Sequence, residues 1–310
     1  MKIAFCCMNT DPRPWLQSLR AALPEAEVVE WSPGSMQDGV RPDYAMVWGP
    51  PQQLIDEQPQ MKALFNIGAG VDALMKLSLP PHMQVVRLND AGMSVQMAEF
   101  VAHAVIRHYR ELDAYERDVA AGEWRFRKPL LRTDFPIGVM GLGVLGERVA
   151  KTLAMFDFPV LGWSRSPRQV DGVHCFSGEA TFDEFLSATR ILVCLLPLTP
   201  ETRGIMNRDT LSLLKPGGYV INVARGAHLV EDDLLALIDS GHLAGAALDV
   251  FQTEPLPAGH AFWKHPKIAV TPHTSARTLR EDTVLQIAQK IRAMARGEPV
   301  AGVVDRERGY

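Results

Sequence analysis

Apolar residues in this chain fall into short runs separated by amphipathic stretches. Runs at 3–8, 26–31, 44–48, 63–67 and 84–88 predict strands, and 14–23 predicts a helix after the first of them. Short, nearly continuous apolar runs alternating with helical stretches predict a parallel sheet covered on both faces. The helical period at 95–121 predicts one long helix stopped near Gly122. A polar, basic stretch follows at 123–132. Strand–helix alternation then resumes, with strands predicted at 135–140, 159–163, 191–196, 219–223, 246–250 and 268–271. Helices fit at 147–155 and 232–240, and a last one at 278–296. The pattern predicts an α/β protein of two Rossmann-like, doubly wound parallel-sheet domains, one flavodoxin-like and one dinucleotide-binding.

Composition is consistent with that picture. The 310 residues suit two domains of about 150 residues each, and at 47% apolar they can build two cores. A net charge of -4 gives no reason to expect a nucleic-acid partner. Cys6, Cys7, Cys175 and Cys194 show no C-x-x-C spacing, so no metal site is expected, and they read as reduced core thiols of a cytoplasmic protein. The apolar start of the chain is too short for a signal peptide, and no stretch reaches the ~20 apolar residues of a membrane span.

Gly141-Leu142-Gly143-Val144-Leu145-Gly146 is a G-x-G-x-x-G between a predicted strand and a helix expected to open at Glu147. The first glycine permits a tight turn, the second lets backbone approach a pyrophosphate, and the third lets helix and strand pack closely. The next strand ends in Trp163-Ser164-Arg165-Ser166. An NAD site carries an acid there to hold the ribose 2′-hydroxyl. Such an acid would repel a 2′-phosphate by roughly 4 kcal/mol at about 4 Å and an effective dielectric near ~20. Ser164 removes that repulsion, and Arg165, with Arg168, can pair with the phosphate, so NADPH is expected over NADH.

Three polar residues follow predicted strands of this half, where open α/β sheets place ligands: Arg225, Glu254 and His273. Arginine can grip a carboxylate bidentately and polarise an adjacent carbonyl. Histidine can give a proton to the carbonyl oxygen as hydride reaches carbon, and a carboxylate beside it fixes the ring's orientation. The set suits reduction of a 2-keto acid, with His273 as acid, Glu254 as its partner and Arg225 as carboxylate and oxyanion binder. His103, His108, His228, His242, His260 and His265 read as structural or solvated.

These motifs, with Gly68-Ala69-Gly70-Val71-Asp72, Pro197-Leu198-Thr199-Pro200-Glu201-Thr202, Val223-Ala224-Arg225-Gly226 and Thr271-Pro272-His273, resemble the D-2-hydroxyacid dehydrogenase family across residues 68–273. Trp48-Gly49-Pro50-Pro51 and Asn89-Asp90-Ala91-Gly92 make the chain most similar to its glyoxylate/hydroxypyruvate reductase A subgroup. The resemblance implies a split substrate domain, 1–96 with 278–310, a cofactor domain over 97–277, and an active site in the cleft between them. It implies substrate contacts from Trp48 and the backbone of Ala69, Gly70 and Val71. Further dinucleotide contacts are implied at Leu195, Pro197, Thr202, Val223, Ala224, Asp249 and Thr274. It also implies a homodimer embraced near residues 123–132 and reduction of glyoxylate and hydroxypyruvate to the D-hydroxy acids. A reductase of a bulkier 2-keto acid and a non-catalytic dinucleotide sensor are the other readings. The complete Arg–Glu–His set weighs against the sensor.

Overall fold

The computed structural model describes every residue except 37, 38 and 40. The chain divides into two compact units, Met1–Gly92 with Thr278–Tyr310, and Met93–Arg277. The division falls where helix α3 (Met93–Tyr109) begins, so a boundary at 96/97 would cut through that helix's first turn.

The first unit holds β1 (Lys2–Cys7), α1 (Pro12–Ala22), β2 (Glu27–Glu30), β3 (Tyr44–Trp48), α2 (Gln52–Glu57), β4 (Ala63–Asn66) and β5 (Gln84–Val86). Its all-parallel sheet runs β2-β1-β3-β4-β5, the flavodoxin-like order. β4 is buried at every position because helices cover both faces. One of these helices comes from the far end of the chain: α9 (Arg280–Ala295) packs on α1. Arg292 ties the pair, donating to Glu25 at 2.7 Å and to the Ala22 carbonyl at 2.6 Å.

After α3 the second unit holds α4 (Leu112–Ala120), β6 (Ile137–Met140), α5 (Val144–Ala154), β7 (Val160–Ser164), β8 (His174–Ser177) and α6 (Phe182–Ala188). It continues with β9 (Ile191–Cys194), α7 (Arg208–Ser212), β10 (Gly218–Asn222), α8 (Glu231–Asp239), β11 (Leu243–Leu248) and β12 (Ile268–Val270). Its parallel sheet runs β12-β11-β10-β9-β6-β7-β8, the dinucleotide-binding order with one more strand at the edge. The strand order reverses beside β6, where such sheets bind their ligands.

Three expectations need correction. The single helix over 95–121 is two, α3 and α4, separated at Glu111 in the left-handed region (φ 54). Tyr109 must stay buried, its ring edge-on to Phe135 and Phe158, so the chain turns after it. Arg107 bridges the break to Glu116 at 2.7 Å. Without glycine or proline there, the apolar period read straight through. Second, α5 opens at Val144 rather than Glu147, and the last glycine of the motif lies inside its first turn. Third, β8 went unread because this edge strand buries only Phe176 fully.

Candidate active site

The turn after β6 is built by backbone proximity. Gly141 sits at φ +98, and a Cβ there would lie 2.7 Å from the Leu195 carbonyl oxygen. A Cβ on Gly146 would lie 1.7 Å from the Gly141 oxygen. Gly143, which caps α5, is different: nothing stands within 4 Å of where its Cβ would be. The amides of the first turn of α5 have no intrahelical acceptors, and the open space over Gly143 lets an anion reach them. Leu142 is buried against Gly162, while Val144 is exposed. These residues fit a dinucleotide pyrophosphate.

Ser164 ends β7, and its hydroxyl donates to the Ser166 carbonyl at 2.8 Å. No acid occupies this strand end, and Arg165 and Arg168 are exposed just beyond it. A hydrogen bond from Thr199 and, further out, the charge of Arg165 hold the Glu201 carboxyl below the ordinary carboxylate range. Trp163 turns inward: its Nε1 donates to the Gly178 carbonyl at 2.9 Å and its ring meets Phe182. After Leu195, the 197–202 loop is braced by Thr202. Its hydroxyl donates to the Pro197 carbonyl at 2.7 Å and accepts from the Thr199 amide at 2.9 Å.

Arg225, Glu254 and His273 follow β10, β11 and β12, neighbours at one end of the sheet. Beyond Val223 and Ala224, Arg225 stands at the head of the one-turn 3-10 helix Gly226–His228, with Nη1 donating to the Ala224 carbonyl at 2.7 Å. The fully buried Asn222 shapes this turn, accepting from the Ala224 amide at 3.2 Å and donating to the Arg225 carbonyl at 3.0 Å. Gly226 is required because a Cβ would fall 1.8 Å from the Phe251 carbonyl carbon.

His273 Nδ1 lies 2.8 Å from Glu254 Oε2. The carboxylate's other oxygen accepts from the Phe251 amide at 3.0 Å. His273 occupies the left-handed region (φ 53), a conformation that costs a non-glycine residue on the order of 1 kcal/mol. Asp249 stabilises it. Fully buried, Asp249 accepts from the Thr271 hydroxyl at 2.6 Å and from the Thr274 and Ser275 amides at 2.8 Å each. Its backbone carbonyl takes the His273 amide at 2.9 Å. Asp249, expected at the dinucleotide, thus has its carboxylate oxygens committed to the segment that carries His273.

In the first unit, Trp48 ends β3 with its side chain exposed over Gly68, where a Cβ would lie 2.5 Å from the indole. Asn66, at the end of β4 and buried, donates to the carbonyls of Gly68 at 3.0 Å and Gly70 at 2.8 Å. Two of the loop's carbonyls are therefore turned inward, and it runs on through Ala69 and Val71. Asn66, Asn222 and the bracing by Asp249 escaped the sequence reading, as did the way Thr202 braces its own loop. The available signal was a single polar residue closing a buried strand run, as at Asn66 and Asn222. Burial pushes the Cys6 and Cys194 thiols up to about 12, away from the reactive thiolate form.

The profile of the D-isomer specific 2-hydroxyacid dehydrogenase NAD binding domain matches residues 102–275. Over the full length of both chains the sequence is 44% identical to glyoxylate/hydroxypyruvate reductase A of Photorhabdus laumondii and 45% identical to that of Serratia proteamaculans. A D-isomer specific 2-hydroxyacid dehydrogenase from Xanthobacter autotrophicus Py2, solved with NADPH and MES, superposes with a TM-score of 0.94 at 40% identity, covering 100% of this chain and 99% of that one. The NADPH-dependent glyoxylate/hydroxypyruvate reductase of Sinorhizobium meliloti, solved with NADP and sulfate, gives 0.93 at 36% identity with the same coverage. With the Arg–Glu–His set on adjacent strand ends and the glycine turn on the same sheet, the chain belongs to the D-isomer specific 2-hydroxyacid dehydrogenase family of oxidoreductases.

Proposed function

We propose that this protein reduces small 2-keto acids with NADPH, taking glyoxylate to glycolate and hydroxypyruvate to D-glycerate. The observation that carries the reading is the His273–Glu254 pair at 2.8 Å, on the same sheet end as Arg225. Bound NADPH supplies the hydride. His273 Nε2 gives a proton to the keto oxygen, while Nδ1 keeps the ring oriented on Glu254. The guanidinium of Arg225 grips the substrate carboxylate and stabilises charge growing on the oxygen. Trp48 and the backbone of Ala69, Gly70 and Val71 are the substrate contacts of the first unit. Ser164, Ser166, Arg165 and Arg168 take the 2′-phosphate. The amides of Gly143, Val144 and Leu145 take the pyrophosphate. Leu195, Pro197, Thr202, Val223, Ala224 and Thr274 flank the rest of the dinucleotide.

The relatives support the substrate and cofactor through the activities and bound ligands they carry. The same proposal includes a homodimer, supported by the apolar cluster at 119–131. There Trp124 is 101% exposed and Phe126 87%. It also includes a cytoplasmic location, consistent with the free thiols. No helix among the described residues is long and apolar enough to cross a membrane.

The test is NADPH absorbance loss against a panel of 2-keto acids, with NADH in parallel. Fast turnover of glyoxylate and hydroxypyruvate with NADPH is expected. Turnover of bulkier keto acids alone would replace the substrate. NADPH binding without turnover would overturn the enzymatic reading.

A further inference from the structure

Both backbone polar groups of Arg225 face a side chain outside the Arg–Glu–His set. His228 closes the one-turn helix that Arg225 opens, and its residue is 0% exposed. Its Nδ1 lies 3.2 Å from the Arg225 amide nitrogen and 3.1 Å from the Arg225 carbonyl oxygen. Its Nε2 lies 3.3 Å from the Pro197 carbonyl oxygen.

The partners dictate the tautomer. The Arg225 carbonyl already accepts from the Asn222 side chain at 3.0 Å and the His228 amide at 3.2 Å, whereas the Arg225 amide can only donate, so Nδ1 carries a lone pair toward that amide. A carbonyl can only accept, so Nε2 carries the proton toward Pro197. One neutral ring satisfies both, whereas an aliphatic residue in its place would leave buried groups unsatisfied. The Pro197 carbonyl also takes the Thr202 hydroxyl, so His228 and Thr202 converge on a single oxygen of the 197–202 loop. Backbone bonds run alongside: Gly204 N to Ala227 O at 2.9 Å, Met206 N to His228 O at 2.9 Å, and Val230 N to Met206 O at 2.9 Å. On its other side, the Arg225–Gly226 turn lies against the Phe251 carbonyl.

We infer that His228 is a positioning residue that ties the substrate-gripping turn to the cofactor loop, one ring nitrogen for each. Nδ1 sets the backbone from which Arg225 reaches the keto acid. Nε2 sets the carbonyl around which the 197–202 loop folds. The inference rests on the proposed roles of Arg225 and of that loop.

The experiment separates the two nitrogens. Asparagine places its amide near the Nδ1 position and glutamine near the Nε2 position. In H228N, oxamate binding to the NADPH complex stays within about twofold of wild type, and the NADPH dissociation constant rises about fivefold, the worth of one lost neutral hydrogen bond. In H228Q the pattern inverts: NADPH binds normally, and the oxamate dissociation constant and the KM for glyoxylate rise about fivefold. Both constants are read from nicotinamide fluorescence. Two variants that shift both constants equally, or neither, would overturn the inference.

Ring 15N shifts in the wild-type protein add a reading that needs no variant. A neutral Nε2–H tautomer is expected, moving on addition of NADPH and again on addition of oxamate. A ring silent to both ligands would overturn the proposal. The parent reading fails in a different way, by wild-type protein that leaves NADPH unoxidised with every keto acid.

Discussion

Glu254 holds His273 by one carboxylate oxygen, at 2.8 Å, while its other oxygen is held at 3.0 Å by the Phe251 amide. The carboxylate is therefore fixed before it fixes the ring, and the imidazole inherits its direction from the main chain after β11. His273→Ala is expected to lower kcat by about 100-fold or more, the usual contribution of a general acid. Glu254→Gln should lower kcat by about 10-fold or more through the ring's orientation. NADPH affinity should stay within about twofold in both, because neither group is assigned to the dinucleotide. Steady-state kinetics beside fluorescence titration decide it, and near-wild-type turnover in H273A would remove the assigned role.

Asp249 should matter to stability and to turnover together. Asp249→Ala leaves the Thr271 hydroxyl and two amides facing a buried void. A loss of about 3 kcal/mol or more is expected, as for a charged acceptor removed from several donors. Asp249→Asn keeps the volume and one acceptor, so it should fold with a smaller loss and a reduced kcat, His273 being less firmly held. Urea denaturation and kinetics on the pair test this, and an Asp249→Ala protein as stable as wild type would refute it.

Cofactor choice is expected to turn on one side chain. Ser164→Asp restores an acid at the end of β7 and should cut kcat/KM for NADPH by about 100-fold, the scale of a partly screened like-charge contact. NADH should lose little. An unchanged NADPH:NADH ratio would place the 2′-phosphate elsewhere.

His108 predicts an acid limb in stability. Its ring stacks on Tyr219 with centroids 4.1 Å apart, and its Nε2 is buried with no hydrogen-bond partner among the described residues. Burial first, then the charge of Arg190, lowers its pKa from 6.5 to about 4. The folded pKa lies below the unfolded one, so the unfolded chain binds the proton first. Stability from this group is complete above about 6.5 and is lost as pH falls toward about 4. His108→Phe keeps the stacking without the proton. It should flatten that limb, so that the melting temperature falls less between neutral and mildly acidic buffer. An identical acid limb in the variant would show that other groups produce it.

Trp124 and Phe126 stand almost wholly exposed on a stretch anchored beside α4, where Arg127 pairs with Asp118 and lies over the Tyr115 ring. Bulky apolar side chains held out on an ordered arm are suited to another surface. Trp124→Ser with Phe126→Ser is expected to convert a dimer to a monomer by light scattering, leaving the melting of the isolated unit largely unchanged. A wild-type protein that scatters as a monomer would contradict the proposal.

The strands were legible because β1, β4, β6, β9 and β10 are almost wholly buried, and both-face burial writes continuous apolar runs. Arg225 drew attention because it follows β10, which is buried throughout. What stayed hidden was set by tertiary contact. The break between α3 and α4 answers to Tyr109 packing on Phe135 and Phe158, which no local signal announces. His228 read as an ordinary histidine because its partners lie on another loop and on the Arg225 backbone. The family resemblance implies a dinucleotide contact at Asp249, whereas its carboxylate is committed to Thr271 and to the Thr274 and Ser275 amides.

The glycine turn also distributes mutational freedom unevenly. At Gly141 and Gly146 a single added carbon would strike main-chain atoms that have nowhere to move. Arg165 and Arg168 lie exposed beyond the end of β7, where one side chain can replace another without disturbing the sheet. On the proposed reading, where a dinucleotide sits is thus built into the backbone, while which dinucleotide sits there is left to a few side chains at the end of β7. A change of cofactor is a short mutational path in this fold, and the loss of dinucleotide binding altogether is a structural one.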